Sequence, residues 1–249
     1  MMTSRIARLV TSMLAGEKKS LARLISLAEN ESPALPEIIE IIRPHLGKAY
    51  RIGITGPLGG GKSTLVDKLA TTIRSQGLSV GIIAVDPSSP ISGGAVLGDR
   101  IRMQQHYLDN GVFIRSMATR GSSGGLSKAT QATVNLLDAF GKDIIIVETV
   151  GVGQTELSIR EIANIVVLVL VPESGDDIQA MKAGLVEVAD IIVINKADHE
   201  GAERLAAELR ATLGSNLGKS EPPIITTQAI NGVGIEELYQ IIDKRHKNY

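Results

Sequence analysis

The chain has 249 residues, which is enough for one α/β domain with an extension. Its formal net charge of −1 gives no overall basic field, and aromatic residues make up only 2% of it, so a nucleic-acid-binding protein is not expected. Cysteine is absent, which excludes disulfides, thiol chemistry and Cys-based metal sites.

The first 47 residues have a helical pattern. Leu21, Leu24, Ile25 and Ala28 recur at the spacing of one apolar helix face, and Pro36 is suited to the first turn of a further helix. We therefore predict an N-terminal helical extension over residues 1–48. It is either a helical cap packed on the main domain or a surface that docks a partner.

Strands and helices alternate from residue 49 to residue 249. The predicted strands are 51–55, 80–85, 144–147, 165–171, 191–194 and 224–226. This order predicts an α/β fold with a mostly parallel sheet flanked by helices, in which ligands bind at the carboxyl ends of the strands.

The most apolar run, 162–171, is interrupted by Asn164 and is far shorter than the ~20 residues of a membrane span. The N-terminal residues lack the apolar core of a secretory signal. We therefore expect a cytoplasmic protein that does not enter a membrane.

Residues 56–63, GPLGGGKS, match the phosphate-binding pattern G-x-x-x-x-G-K-[ST] between a predicted strand and a predicted helix. Glycines let the backbone N–H groups surround phosphates, and the helix N-terminus adds positive charge. Lys62 is expected to contact the β- and γ-phosphates, and Ser63 to ligate Mg²⁺. The predicted phosphate-binding residues are Gly56, Gly59, Gly60, Gly61, Lys62, Ser63 and Thr64.

A second motif, residues 195–198 (NKAD), follows a predicted strand. The carboxylate of Asp198 can accept hydrogen bonds from the N1–H and 2-amino groups of guanine, whereas adenine has neither donor. The two motifs together predict a GTP/GDP site. The predicted base-binding residues are Asn195, Lys196, Asp198, Gln228 and Ala229.

Acidic residues near the ends of strands suit a magnesium ion, which prefers oxygen ligands. Asp86 follows one predicted strand and Glu148 ends another, while Asp99 lies in the sequence LGDR. Asp86 and Asp99 are also typical turn formers or helix caps. The predicted metal ligands, direct or through water, are Ser63, Asp86, Asp99 and Glu148.

Gly151 is expected to donate its N–H to the γ-phosphate. Ras-like proteins place a water-orienting Gln directly after this glycine, but here Val152 holds that position and Gln154 comes later. We therefore expect slow intrinsic hydrolysis that a partner accelerates. The predicted catalytic residues are Lys62, Gly151 and Gln154.

These motifs resemble those of the MeaB/ArgK family, P-loop GTPases that act as chaperones of adenosylcobalamin-dependent methylmalonyl-CoA mutase. The resemblance covers roughly residues 10–240, and 148–156 (ETVGVGQTE) is its most specific segment. The other segments that show it are 83–90, 93–100, 119–125 and 175–179.

The resemblance implies that the protein hydrolyses GTP to gate cofactor loading and protection of a B12-dependent acyl-CoA mutase. It maps Asp86, Asp99 and Glu148 onto carboxylates around Mg²⁺. It also implies a partner-contacting switch loop formed by Asp176, Asp177, Gln179 and Lys182, residues that would otherwise be taken to cap and decorate a helix. Family members form a homodimer through a C-terminal helical arm, whereas this chain ends at Tyr249, so a homodimer stays open.

Three alternatives remain. A nickel-insertion GTPase shares this fold, but it would need Cys and His clusters, and the four His residues show no close spacing. A partitioning-type ATPase would need a second Lys early in the phosphate loop, where Pro57 and Leu58 stand. A kinase would need a site for an acceptor side chain, and no motif here provides one.

Overall fold

A computed structural model of the chain describes residues 2–86, 103–118, 126–149, 158–174, 185–214 and 221–247. The N-terminal helices are α1 (Met2–Leu14), α2 (Lys18–Glu29) and α3 (Leu35–Ile42). Leu21, Leu24, Ile25 and Ala28 of α2 are all buried, which confirms the predicted apolar face.

Seven strands form one sheet in the order β3-β2-β4-β1-β5-β6-β7. The strands are β1 (Tyr50–Thr55), β2 (Val80–Asp86), β3 (Val112–Ala118), β4 (Ile144–Glu148), β5 (Ile165–Leu170), β6 (Ile191–Ile194) and β7 (Ile224–Thr226). Every pairing between them is parallel. All carboxyl ends therefore lie at one edge of the sheet, which confirms the predicted fold class. The six predicted strands are present, with shifts of one residue at an end of β1, β2, β4 and β5.

The edge strand β3 is missing from the sequence prediction. Its centre contains Arg115 and Ser116, which interrupt the β-branched pattern that marks a strand. In the fold, Arg115 donates to Ser26 Oγ at 3.2 Å and pairs with Glu29 of α2. The polar side chain is thus satisfied by a helix distant in sequence, which a local pattern does not reveal.

The described helices on the sheet faces are α4 (Lys62–Ser75), α5 (Lys128–Ala139), α6 (Leu185–Val188), α7 (Ala202–Leu213) and α8 (Ile235–His246). Successive strand residues face opposite ways, so Ile82 packs with α4 and α8 whereas Ile83 packs with α5. Helices α1–α3 belong to the same hydrophobic cluster as α5. The division of the chain at residue 48 stays a prediction. None of the helices in the described ranges combines the length and apolar character that a membrane crossing requires.

Asp138 of α5 joins that helix to the chain that enters β1. Its fully buried carboxylate accepts hydrogen bonds from the N–H groups of Gly47, Lys48 and Ala49 at 2.8–3.1 Å, and from the guanidinium of Arg51 at 2.9 Å. Burial alone would raise the pKa of Asp138, but these donors outweigh it and hold the pKa below its usual range. The carboxylate therefore stabilises the fold in its charged form.

Lys142 lies at the same amino edge of the sheet, just before β4. Its side chain is buried, and its Nζ donates to the carbonyl oxygen of Gly111 at 2.7 Å. Burial lowers the pKa of Lys142 to about 8, with a further contribution from the positive charges of Lys18 and Arg74. This lysine therefore holds a charge at neutral pH that its surroundings disfavour.

Candidate nucleotide site

The glycine loop connects β1 to α4 at the carboxyl edge of the sheet, where two of its glycines leave no room for a side chain. A Cβ at Gly56, where φ is +137°, would lie 2.0 Å from the carbonyl oxygen of Val169 in β5. A Cβ at Gly61, where φ is +83°, would lie 2.3 Å from Nδ2 of Asn195. Glycine is thus required at both positions, because sterics and backbone conformation exclude other residues.

Lys62 begins α4, and its side chain is only 5% exposed. Its Nζ donates to the carbonyl oxygens of Gly56 at 2.8 Å and Pro57 at 2.9 Å. The ammonium therefore lies inside the loop, next to the N-terminal end of α4, where the helix dipole favours an anion. Phosphate oxygens are stronger acceptors for an ammonium than carbonyl oxygens, since they bear charge.

Ser63 and Glu148 are brought together by the adjacent strands β1 and β4. Ser63 Oγ donates to Glu148 Oε1 at 2.7 Å, and both residues are buried. In β2, Ala84 lies opposite Glu148, so Asp86 ends its strand at the same edge. A hydroxyl and carboxylates are the hard oxygen ligands that Mg²⁺ takes, so the residues present fit that ion. Asp99 lies outside the described residues.

Thr149 anchors the segment that follows Glu148, a role that sequence reasoning did not identify. Its N–H donates to the Ile54 carbonyl at 3.0 Å, and its Oγ1 donates to Thr55 Oγ1 at 2.9 Å. The available signal was a threonine directly after an apolar strand. Gly151 and Gln154 lie outside the described residues, two and five positions further along the chain.

Asn195 joins the phosphate loop to the base-binding segments. Its Nδ2 donates to the carbonyl oxygen of Gly60 at 3.0 Å. Its Oδ1 accepts from Thr227 Oγ1 and from the Ala229 N–H, both at 3.0 Å. The predicted residues Asn195 and Ala229 thus contact each other. The side chain of Asn195 fixes the spacing between two loops, and a buried amide suits this because it both donates and accepts.

Lys196 and Asp198 follow β6 in the order predicted for a guanine site. Lys196 has a φ of +54°, a conformation that few residues other than glycine adopt, which marks a tightly shaped loop. The Asp198 side chain is 49% exposed, so its carboxylate is accessible to a base. Gln228 lies next to Ala229 and accepts from Asn231 Nδ2 at 3.2 Å.

His199, to which the sequence analysis gives no role, links this loop to the segment that follows β5. Its Nδ1 contacts the carboxylate of Glu173. Glu173's own backbone N–H and His199 hold the pKa of Glu173 below its usual range. The residues predicted for the partner switch follow Glu173 in the chain. Those residues, Asp176, Asp177, Gln179 and Lys182, lie outside the described part of the structure.

Solved structures with a similar fold include a "LAO/AO transport system kinase". It has a TM-score of 0.77 and 30% sequence identity, with 97% of this chain and 74% of that chain covered. The HypB protein of Helicobacter pylori, solved in complex with nickel, has a TM-score of 0.61 and 18% identity, with 86% of this chain and 94% of that chain covered. The second likeness shows the fold alone.

Relatives with similar sequences are described as GTPases. A Pyrococcus abyssi protein is 54% identical to this chain, and the match covers 98% of this chain and 76% of the relative. GTPase ArgK of Escherichia coli is 35% identical, and that match covers 95% of this chain and 75% of the relative. A family model described as "Methylmalonyl Co-A mutase-associated GTPase MeaB" matches residues 21–249. The chain therefore belongs to the MeaB family, and it is a GTPase that binds guanine nucleotides.

Proposed function

We propose that this protein is a GTP-hydrolysing chaperone that gates adenosylcobalamin loading and protection of a B12-dependent acyl-CoA mutase of the methylmalonyl-CoA mutase type. The observation that carries the proposal is the family match over residues 21–249, because that family is described by its association with this mutase. The cytoplasmic location and the homodimer remain predictions.

The phosphate loop supports tight binding of the triphosphate. The Lys62 ammonium exchanges its two carbonyl partners for β- and γ-phosphate oxygens, which makes the contact charge-assisted. The loop N–H groups and the N-terminal end of α4 add further donors. Thr64, in the first turn of α4, belongs to the same proposed set.

Ser63, Asp86, Asp99 and Glu148 are the residues proposed to hold Mg²⁺, directly or through water. The contact between Ser63 Oγ and Glu148 supports the assignment, since metal entry would give both oxygens a ligand role. Bound Mg²⁺ would offset negative charge on the phosphates during hydrolysis.

Nucleotide state is proposed to reach the partner through segments that begin at well-anchored residues. Thr149, held against Thr55, precedes Gly151 and Gln154, which we assign to the γ-phosphate and the attacking water. Glu173, held by His199 next to Asp198, precedes the proposed partner switch of Asp176, Asp177, Gln179 and Lys182. Loss of the γ-phosphate would release the first segment, which is how hydrolysis would be signalled.

The test is to measure GTP hydrolysis by the purified protein with and without methylmalonyl-CoA mutase, and to compare their co-purification in GDP and in a non-hydrolysable GTP analogue. We expect nucleotide-dependent binding and faster hydrolysis when the mutase is added. Lys62→Ala is the control that removes the nucleotide dependence. If no B12-dependent acyl-CoA mutase binds in either nucleotide state, the chaperone proposal is wrong, even though the protein is a GTPase.

Nickel insertion is the alternative within this fold, and it has no specific support. The chain lacks Cys, and the described residues contain no group of three or more His, Cys, Asp or Glu side chains placed to hold a metal. Tight stoichiometric nickel binding, measured by calorimetry, would favour the alternative.

A further inference from the structure

A cavity of about 540 Å³ lies among the N-terminal helices, and none of the predicted nucleotide-site residues lines it. Its volume is within the ~300–1,000 Å³ of typical small-molecule sites. The apolar residues that line it come from α1, from α2 and from the residue just before α3. They are Ile6, Leu9, Ala22, Leu27 and Ala34.

The charged side chains that line this cavity are all arginines. Arg5 comes from α1, Arg23 from α2 and Arg115 from β3. Across the ranges that the structure describes, Arg5 and Arg23 form no ion pair and no side-chain hydrogen bond. Both side chains can therefore turn towards a bound anion without losing a partner.

Arg115 provides the second observation. One of its nitrogens, Nη2, donates to Ser26 and pairs with Glu29, but its Nε is buried and has no acceptor among the described residues. A buried donor without an acceptor destabilises the fold, because its hydrogen bond to water is lost and not replaced. A ligand oxygen that reached Nε after a small shift of the side chain would satisfy this donor with a charge-assisted hydrogen bond.

We propose that this cavity binds a small amphipathic anion. Its one apolar chain would lie against the apolar lining residues, and its carboxylate or phosphate group would contact the arginines. Burying the chain contributes roughly 25 cal/mol for each Å² of apolar surface removed from water. The positive charges of the arginines favour a negatively charged head group. The proposal is independent of the nucleotide site, so it stands or falls separately from the chaperone function.

The test uses calorimetry on the full chain with decanoate and decyl phosphate, each below its micelle concentration. We expect saturable binding of at least one anion at one molecule per chain, and the tighter of the two identifies the head group. Decylamine has the same chain length with a cationic head, and we expect it to bind at least about 10-fold more weakly, since charged hydrogen bonds contribute about 1.5–3 kcal/mol.

Two variants test whether the ligand binds in this cavity. Arg5→Gln/Arg23→Gln should weaken binding of the tighter anion by about 10-fold or more. Ala22→Phe should abolish binding, because the larger side chain would fill the space for the apolar chain. The matched control is Arg210→Gln/Lys244→Gln, which removes two exposed positive charges from α7 and α8 and should bind as the wild type does. The proposal is overturned if neither anion binds saturably, if decylamine binds equally well, or if both cavity variants bind like the control.

Discussion

Two buried lysines at opposite edges of the sheet both donate to backbone carbonyls but lie in different surroundings. Lys62 at the carboxyl edge is 5% exposed and donates to two backbone carbonyls, and Lys142 at the amino edge is 4% exposed and donates to one. The difference is in what surrounds them. Lys62 lies in a loop of glycines at a helix N-terminus, where an anion can replace the carbonyls, whereas Lys142 lies against packed backbone near other positive charges.

Acidic residues at the two edges also differ in their surroundings. At the amino edge, Asp138 has four protein donors and no exposed surface, so all its hydrogen bonds serve the fold. At the carboxyl edge, Asp198 is half exposed and its carboxylate is accessible to a base. Burial alone therefore does not mark a functional residue: protein donors enclose the Asp138 carboxylate, whereas the Asp198 carboxylate keeps surface that a ligand can reach.

The largest effect is expected from Asp138→Ala. The substitution leaves three buried N–H groups and the Arg51 guanidinium without their acceptor, so the free energy of unfolding at pH 7 should fall by about 3–5 kcal/mol. Urea unfolding measures it. Since the pKa of Asp138 is held below its usual value of 3.8, the stabilisation is present above that pH and is lost as pH falls through the lowered pKa.

The control for Asp138 is Asp143→Ala, which removes an exposed carboxylate at the same edge that binds Ser79. Its cost should be about 1 kcal/mol. If the two variants lost the same free energy of unfolding, the buried Asp138 carboxylate would stabilise the fold no more than the exposed Asp143 carboxylate does.

The second effect is on nucleotide affinity. Lys62→Ala removes the charged donor from the phosphate loop, and we expect GTP affinity to fall by roughly 100-fold or more, since each charged hydrogen bond contributes about 1.5–3 kcal/mol. Calorimetry or a fluorescent nucleotide measures this. Lys68→Ala on the same helix is the control and should bind GTP normally. Retained affinity in Lys62→Ala would refute the phosphate assignment.

The third effect is on base preference. Asp198→Asn replaces an acceptor by an amide, so one guanine donor loses its partner and GTP affinity should fall by about 10- to 100-fold. Xanthine nucleotides should then bind better than GTP, because xanthine presents an acceptor where guanine has its 2-amino group. Competition binding measures the ratio, with Glu200→Gln as a control of equal charge change. A preference for GTP that is unchanged from the wild type contradicts the assignment.

The features that the sequence predicts correctly are local ones. Six strands and the helix that follows the glycine loop can be predicted from runs of residues that are adjacent in the chain. The glycine loop is equally local as a pattern, because its motif is eight consecutive residues, although the atoms that require glycine at Gly56 and Gly61 belong to distant parts of the chain. Patterns of this kind indicate an element without knowledge of its neighbours.

The features that the sequence analysis does not reveal join distant residues. Asn195 contacts Gly60 across 135 positions, and Asp138 contacts Gly47 across 91. Arg115 interrupts the pattern of β3 because it pairs with Glu29 of α2. A short motif predicts that Asn195 belongs to the site, but only the fold shows that its amide joins two loops.

The smallest effect concerns Lys142 and is visible only as a change with pH. Burial lowers its pKa from 10.5 to about 8, so between these values the unfolded chain binds more protons than the folded one, and the free energy of unfolding rises with pH. From pH 7.5 to 9 the gain in the free energy of unfolding from this group should be about 1 kcal/mol.

Lys142→Met should lose that rise while GTP binding is unchanged, whereas Lys244→Met, at an exposed position of α8, should keep the rise. An identical pH slope in Lys142→Met and the wild type would show that Lys142 is not held against its charge. In that case the surroundings of Lys142 would not disfavour its positive charge. Lys142 and Lys62 would then differ only in whether a ligand can reach the ammonium group.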